Sequence, residues 1–173
     1  VSTAAKRYGF KIDKNAPWRF VADLNSTAMK KYMNRAGISK KIAQDRLYLK
    51  SYDYYNKIGL EKKGLLALQN YVAADGMLHP EKRAIPELQM IIEKAKLIRA
   101  NDIEGLVSMN LSIEYENIGA REAALSYARS AFELLAGHKE TYQYFSAACH
   151  LCRLLFEMKH LQEASNLLAI IKT

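Results

Sequence analysis

Residues 149–152 are the grouping in this sequence whose types and spacing come closest to metal chemistry. They read Cys149-His150-Leu151-Cys152, a cysteine pair with the spacing of half a structural zinc site. Such a site needs four ligands, usually from two such pairs, and His138 and His160 are the nearest further candidates. Because there is only one pair and it falls in a helical pattern, the cysteines are better explained as small core residues. We therefore predict no metal site and no other cofactor.

Catalytic groupings are not evident in the sequence either. It contains no Gly-rich phosphate loop and no Gly-x-Ser-x-Gly motif, and its four histidines are scattered. Glu114 and Glu116 stand two residues apart in a helical pattern, so they cannot both face one substrate. We therefore predict that the protein is not an enzyme.

The elements that position these residues are centred on a helical hairpin between residues 102 and 137. Apolar or small residues recur three or four apart on both sides of Ile118-Gly119, which is the one-face spacing of an amphipathic helix. They are Leu106, Met109 and Ile113 before the turn, and Ala124, Leu125, Ala128, Ala131, Phe132 and Leu135 after it. So short a turn makes the two helices antiparallel neighbours. A hairpin cannot bury both of its faces alone, so we expect stacked neighbours.

Helical patterns fill most of the rest of the chain beyond residue 46. They cover residues 39–58, 60–76, 86–100, 139–159 and 161–172. Pro80 and Pro86 suit first-turn positions, and the helix at 86–100 has no obvious hairpin partner in the sequence. The predicted fold is all-α, an irregular stack of about seven helices in antiparallel hairpins over residues 47–173. Residues 1–46 form a basic, partly extended segment with one short helix, from Ser26 or Thr27 to Gly37.

A further pattern repeats around the turns. Tyr55-x-x-Ile58-Gly59 with Gly64 and Leu68 recurs as Tyr115-x-x-Ile118-Gly119 with Ala124 and Ala128, and more weakly as Leu155, Lys159, Leu161, Ala164 and Leu168. An aromatic four residues before a turn glycine, with a small residue five after it, resembles the tetratricopeptide repeat over residues 45–75 and 105–173. The turn marks are 60 and 40 residues apart, whereas that family repeats about every 34 residues. Its tryptophan and closing proline are absent. The resemblance implies an irregular, TPR-like α-solenoid.

The resemblance also implies an interaction surface, because in that family the first helix of each repeat lines a concave peptide-binding face. Carried over position by position, this places on the face Leu49, Asp53, Asn56 and Lys57; Met109, Ile113, Glu116 and Asn117; and Cys149, Arg153, Phe156 and Glu157. The Lys/Asn/Arg set with which some members grip a C-terminal carboxylate is not matched. A mixed apolar and charged face suits a partner helix or peptide, although the same residues would also suit packing against a neighbouring subunit. We predict a non-catalytic scaffold or adaptor subunit of a larger assembly.

Positive charge is concentrated in residues 1–46, which hold eleven Lys/Arg and three acidic residues, while the remainder holds fifteen of each. The candidate basic patch comprises Lys6, Arg7, Lys11, Lys14, Arg19, Lys30, Lys31, Arg35, Lys40 and Lys41. Aromatic residues such as Trp18 and Phe20 interleave with it, as phosphate contacts combined with base stacking require. Three interpretations stay open: a nucleic-acid contact, docking on an acidic protein, and a solvated face with these rings tethering the segment.

Two expectations concern context. Residues 8–33 (YGFKIDKNAPWRFVADLNSTAMKKYM) are similar to sequences in tailed-phage structural proteins, which implies a virion or assembly component as an alternative. A disulfide between two cysteines three apart in a helix would be strained, so we expect a reducing compartment, most simply the cytoplasm. No apolar run approaches the ~20 residues of a membrane span and no secretory leader pattern opens the sequence, so no membrane partner is predicted.

Overall fold

The computed structural model describes residues 48–78 and 84–171 of the 173-residue chain. These residues form seven α-helices and no strand, which confirms the all-α class for this part. The predicted short helix at 26–37 and the basic patch lie outside the described residues. The chain divides into two compact units, residues 1–82 and 83–173, and each is described by itself. None of the described helices combines the length and apolarity needed to cross a membrane.

The described part of the first unit is a hairpin of α1 (Leu49–Lys57) and α2 (Glu61–Leu78) that pack against each other. Tyr55 and Ala67 form its fully buried centre. Gly64 lies where the helices approach closely, because a Cβ there would stand 2.7 Å from Oδ1 of Asn56. In this hairpin the residue five positions after the turn glycine is therefore small because a larger side chain would collide with α1.

The second unit contains five helices. They are α3 (Ile85–Leu97), α4 (Asn101–Asn117), α5 (Arg121–Leu135), α6 (Tyr142–Glu157) and α7 (Leu161–Ile171), with a 3-10 turn at Ala136–His138 before α6. Each helix packs against the next, and α4 and α5 share the most extensive contact. The predicted hairpin between residues 102 and 137 is confirmed as α4–α5. The helix predicted at 86–100, for which the sequence gave no obvious hairpin partner, ends at Leu97 as α3 and packs against α4.

Four turns between helices share one backbone geometry. Each contains a residue with positive φ: +73° at Gly59, 54° at Arg99, +76° at Gly119 and 64° at Lys159. The N–H of the following residue donates to the carbonyl five residues back, over 2.8 to 2.9 Å. This is the Schellman motif, which satisfies carbonyl groups left without partners at the end of a helix.

Two of the four turns place a non-glycine residue in the left-handed region. Arg99 and Lys159 hold a conformation that costs an L-residue about 1–2 kcal/mol. The sequence pattern marked the turns at 59, 119 and 159 but not the one at 99, because arginine carries no local signal for positive φ. With Arg99 included, the turns fall 40, 20 and 40 residues apart. The 60-residue gap between the turns at 59 and 119 therefore contains a further turn, at Arg99, that the repeat pattern did not mark.

Small residues set the distance between α4 and α5. Ala124, Ala128 and Ala131 are at most 1% exposed, so their small side chains let α5 approach its neighbours closely. Gly105 of α4 does the same, because a Cβ there would stand 2.8 Å from Cγ of Leu135. The sequence pattern gave no sign of this glycine's role.

The start of α6 is set by a side-chain cap. Oγ1 of Thr141 accepts a hydrogen bond from the Tyr144 N–H at 3.3 Å and donates to the His138 carbonyl at 2.7 Å. The helix predicted from Lys139 therefore begins at Tyr142. Pro86 lies in the first turn of α3, as predicted.

Candidate interaction surface

A chain of hydrogen bonds joins α4 to α6. Ser112 of α4 donates from Oγ to the Ala124 carbonyl at 2.7 Å, and its oxygen lies 2.8 Å from Nε2 of His150 on α6. On the other side of the ring, Nδ1 lies 3.3 Å from Nη2 of Arg153. Arg153 reaches back to α4, where both of its terminal nitrogens meet the carboxylate of Glu116 at 2.6 Å. The two helices are therefore joined by hydrogen bonds at two points, Ser112–His150 and Glu116–Arg153.

The donors in this chain determine the tautomer of His150. Ser112 has a single O–H, which it gives to the Ala124 carbonyl, so its oxygen accepts from the Nε2–H of His150. Nδ1 is then unprotonated and accepts from Arg153. Burial lowers the pKa of His150, and the charge of Arg153 lowers this pKa further, against the opposing effect of Glu116 and Glu157. The ring is therefore neutral at pH 7.

The proton positions of the Ser112–His150 pair are those of a structural contact. Activation of a serine nucleophile requires an unprotonated histidine nitrogen facing the serine O–H. In this pair Nε2 carries its proton towards Oγ, and Ser112 is 0% exposed. The arrangement can orient α4 against α6 but cannot, with these protons, activate the hydroxyl.

The cysteine motif is divided between surface and core. Cys149 is exposed, whereas Cys152 is half-buried and packs against the core cluster that contains Leu155 and Ala164. Both ring nitrogens of His150, which lies between the cysteines, already have hydrogen-bond partners. In the parts of the chain that the structure describes, no three His, Cys, Asp or Glu side chains are grouped to hold a metal ion.

Arg153 is the centre of an ion network. Besides Glu116 it contacts Glu157 one turn along α6, at 2.8 Å. Its hydrogen bond lowers the pKa of Glu116, and the bonds to Glu116 and Glu157 raise the pKa of Arg153 above its ordinary value. Because the three side chains are 25–46% exposed, water screens the attraction and each pair contributes about 1 kcal/mol or less. The network therefore contributes more to geometry than to stability.

A second ion pair links α5 to α7. Nε and Nη2 of Arg129 contact the two carboxylate oxygens of Glu163 at 2.9 and 2.7 Å. The hydrogen bond from Arg129 lowers the pKa of Glu163. Each of these ion pairs therefore links a helix to the next but one along the chain. We call α4 and α6 one row of helices, and α5 and α7 the other row.

Three of the predicted groove residues, Glu116, Arg153 and Glu157, meet in this network. Ile113 and Phe156 add apolar area on the same two helices, with 39% and 68% of their surface exposed. Asn117 and Cys149 are also exposed. We use the name α4–α6 surface for these seven positions: Ile113, Glu116, Asn117, Cys149, Arg153, Phe156 and Glu157.

The remaining groove candidates are placed differently. Met109 is half-buried and packs against a core cluster of Ala131, Leu135, Tyr144 and Ala147, so it supports the helices from within. The four candidates of α1 lie in the first unit, where Leu49 is half-buried and the other three, Asp53, Asn56 and Lys57, are exposed. Whether they share a face with the α4–α6 surface stays a prediction.

Ser112 and His150 were not among the predicted residues. A sequence signal exists for them, since Ser112 and Glu116 are four apart on α4, and His150, Arg153 and Glu157 are three and four apart on α6. Residues at these spacings share one face of a helix. Two polar rows on separate helices suggest pairing, but nothing local tells which row meets which across the 38 residues from Ser112 to His150.

Comparison with known proteins returned no match. No family model, no curated protein sequence and no solved structure is similar to this chain. The helical architecture and the α4–α6 surface are therefore the basis for the functional argument that follows.

Proposed function

We propose that this protein is a non-catalytic interaction module that holds a partner helix or peptide on the α4–α6 surface, as a scaffold or adaptor within a larger assembly. The observation that carries the proposal is that two ion pairs link the hairpins, Glu116–Arg153 in one row of helices and Arg129–Glu163 in the other. Hairpins linked in both rows form a stack, and a stack exposes one row of helices to a partner.

The chemistry of the α4–α6 surface suits a peptide-like partner. Ile113 and Phe156 supply exposed apolar side chains, and the charges beside them are already paired with one another. Apolar anchors with a polar border are the common composition of protein interfaces. A partner that presents apolar side chains at helical spacing would bury these two residues without leaving an unpaired charge.

The turns and close approaches support a TPR-like interpretation of the stack. The residues five positions after Gly59, Gly119 and Lys159 are Gly64, Ala124 and Ala164, and all three are buried. They lie where the second helix of each hairpin begins to pack on the first. The turn at Arg99 and its spacing depart from a regular repeat, so the proposal is a TPR-like stack of irregular hairpins.

Photo-crosslinking tests the proposal. A photoreactive amino acid at position 113 should crosslink one protein partner in an extract of the source organism, whereas the same amino acid at position 97 should not. Leu97 is the matched control, because it is 83% exposed on α3 and lies outside the α4–α6 surface. With that partner purified, Ile113→Glu should weaken binding at least ~10-fold while Leu97→Glu leaves it unchanged. Equal crosslinking from both positions, or none from position 113, would refute the proposal.

The charge distribution favours a second candidate, a nucleic-acid-associated subunit that uses residues 1–46. All of the excess positive charge lies there, and neutralising phosphates with several cations releases counterions. Affinity for single-stranded RNA or DNA should then fall steeply with salt, about 100-fold or more between 50 and 200 mM. Affinity that is absent at low salt would exclude this candidate and leave the interaction module unaffected.

A further inference from the structure

We propose that a second copy of this chain docks on the outer flank of α6 and α7, formed by Phe145 and Phe156 on α6 and by Leu161 and Leu168 on α7. This surface shares Phe156 with the α4–α6 surface of the proposed function, and its other three residues lie outside that surface. The four side chains are 44%, 68%, 57% and 46% exposed, in that order. We call these four residues the outer flank.

Helical register places the four residues on one side of the α6–α7 pair. Phe145 and Phe156 are eleven residues apart, close to three full turns, and lie roughly 100° around α6 from the side that meets α4 through His150 and Arg153. Leu161 and Leu168 are seven residues apart, close to two turns.

On α7 the side that meets α5 is marked by Glu163, whose carboxylate binds Arg129. Leu161 and Leu168 lie roughly 150° around the helix from Glu163. Since α6 and α7 pack against each other, the two apolar stripes border a single surface turned away from α4 and α5.

Charge distribution identifies the occupant as a second copy. A two-fold contact places the same surface on both sides, so it requires a surface that does not repel itself. The one charged residue of α7 is Glu163, which is engaged by Arg129. On α6, Arg153 and Glu157 are engaged with each other and with Glu116. Neither helix therefore adds an unpaired charge to the outer flank, and Lys159, exposed in the turn between α6 and α7, lies at one end of it. A low content of charge is typical of interfaces between identical subunits.

The apolar area of the outer flank supplies about half of what a stable dimer buries. Two phenylalanines and two leucines at these exposures present about 400 Å² of apolar surface per copy, at the scale of the largest patches that monomers expose. With a border of equal area, a two-fold contact would bury about 1,600 Å² in total, the size of a standard stable interface.

Sedimentation velocity on the full chain tests the proposal. The wild-type protein should sediment as a dimer at about 50 µM, and Phe145→Glu combined with Leu168→Glu should raise the dimer dissociation constant at least ~100-fold. Both substitutions avoid the α4–α6 surface, so failure of the dimer and failure of partner binding are observed separately. Leu97→Glu is the control for adding a charge at an exposed leucine and should leave the dimer intact.

A measurement on the unaltered sequence guards against a folding defect in the double variant. Methyl NMR signals of Leu161 and Leu168 should shift as protein concentration rises, while those of Leu97 stay constant. The proposal is overturned by a wild-type monomer at 50 µM, by a double variant that is folded by circular dichroism and still dimeric, or by open-ended oligomers, which would indicate head-to-tail stacking in place of a two-fold contact.

Discussion

The contact of α4 with α5 and the contact of α4 with α6 are built in different ways. Between α4 and α5 small residues lie at the closest approach, and Gly105 lets the backbone of α4 come within van der Waals reach of Leu135. Between α4 and α6 long polar side chains bridge the helices, from Ser112 to His150 and from Glu116 to Arg153. The closest approach of α4 to α5 is therefore limited by side-chain size, whereas the bridges from α4 to α6 depend on hydrogen-bond partners.

This difference teaches which changes each interface tolerates. A close-packed contact responds to added volume, because neighbouring atoms cannot move far. A contact made of hydrogen bonds responds to the loss of a donor or acceptor, because the group that remains has lost its partner. The predictions below test this separation, beginning with the largest expected effect.

Added volume at Gly105 should be the most damaging change. Gly105→Val places a branched side chain where even a Cβ would be 2.8 Å from Cγ of Leu135, and we expect a loss of about 3 kcal/mol of unfolding free energy. Urea denaturation measures it. Gly137→Val is the control, because no atom lies within 4 Å of a Cβ built there. Equal losses in the two variants would show that α4 and α5 are not closely packed at Gly105.

Removal of the hydroxyl of Ser112 should come next. Ser112→Ala leaves the Ala124 carbonyl and the Nε2–H of His150 without this partner at a site that is 0% exposed, and the expected loss is about 2 kcal/mol. The exposed Ser126 of α5 provides the control, since Ser126→Ala should change stability by less than ~0.5 kcal/mol. A neutral Ser112→Ala would mean that the polar chain does not hold α4 and α6 together.

The ion pair between the helices should contribute less. A double-mutant cycle with Glu116→Gln and Arg153→Met should give a coupling energy of about 1 kcal/mol, because the ion pair is bidentate but partly exposed to water. The coupling should shrink when salt is raised to ~1 M. A coupling energy that is zero within experimental error at low salt would show that the Glu116–Arg153 pair does not stabilise the contact between α4 and α6.

The smallest expected effect is a pH dependence from His150. Its pKa is lowered in the folded protein, so the unfolded chain binds the extra proton first. Stability should therefore be level above the ordinary pKa of 6.5 and fall as pH decreases from there towards the lowered value. Thermal unfolding between pH 7.5 and 5.5 measures the slope. This range lies above the titration of Glu116, whose pKa is lowered by its hydrogen bond with Arg153.

His150→Gln removes the titrating group from this experiment. The variant should lose most of the decline in melting temperature below pH 6.5, while Arg153→Met should make the decline shallower, because the charge of Arg153 contributes to lowering the pKa of His150. An unchanged slope in His150→Gln would assign the pH dependence to another group.

Much of the fold could be predicted because its signals are local. The apolar spacing around Ile118-Gly119 identified the α4–α5 hairpin, and glycines at 59 and 119 identified two turns in which φ is positive. Of the predicted groove residues, Ile113, Glu116, Arg153, Phe156 and Glu157 lie on α4 and α6, and their role in binding a partner stays a prediction. The turn at Arg99 was missed because Ala95 and Glu104 stand where the pattern has an aromatic and a small residue, and because an L-residue disfavours positive φ.

The sequence by itself determined where helices form and which of their faces are apolar, since helical periodicity and turn glycines act within a few residues. Only the tertiary structure decided that Ser112 meets His150, that Arg129 meets Glu163 and that Met109 turns inward. These contacts join residues up to 38 positions apart in the chain. Their geometry depends on how the helices pack, and small residues such as Gly105 and Ala128 set that packing distance.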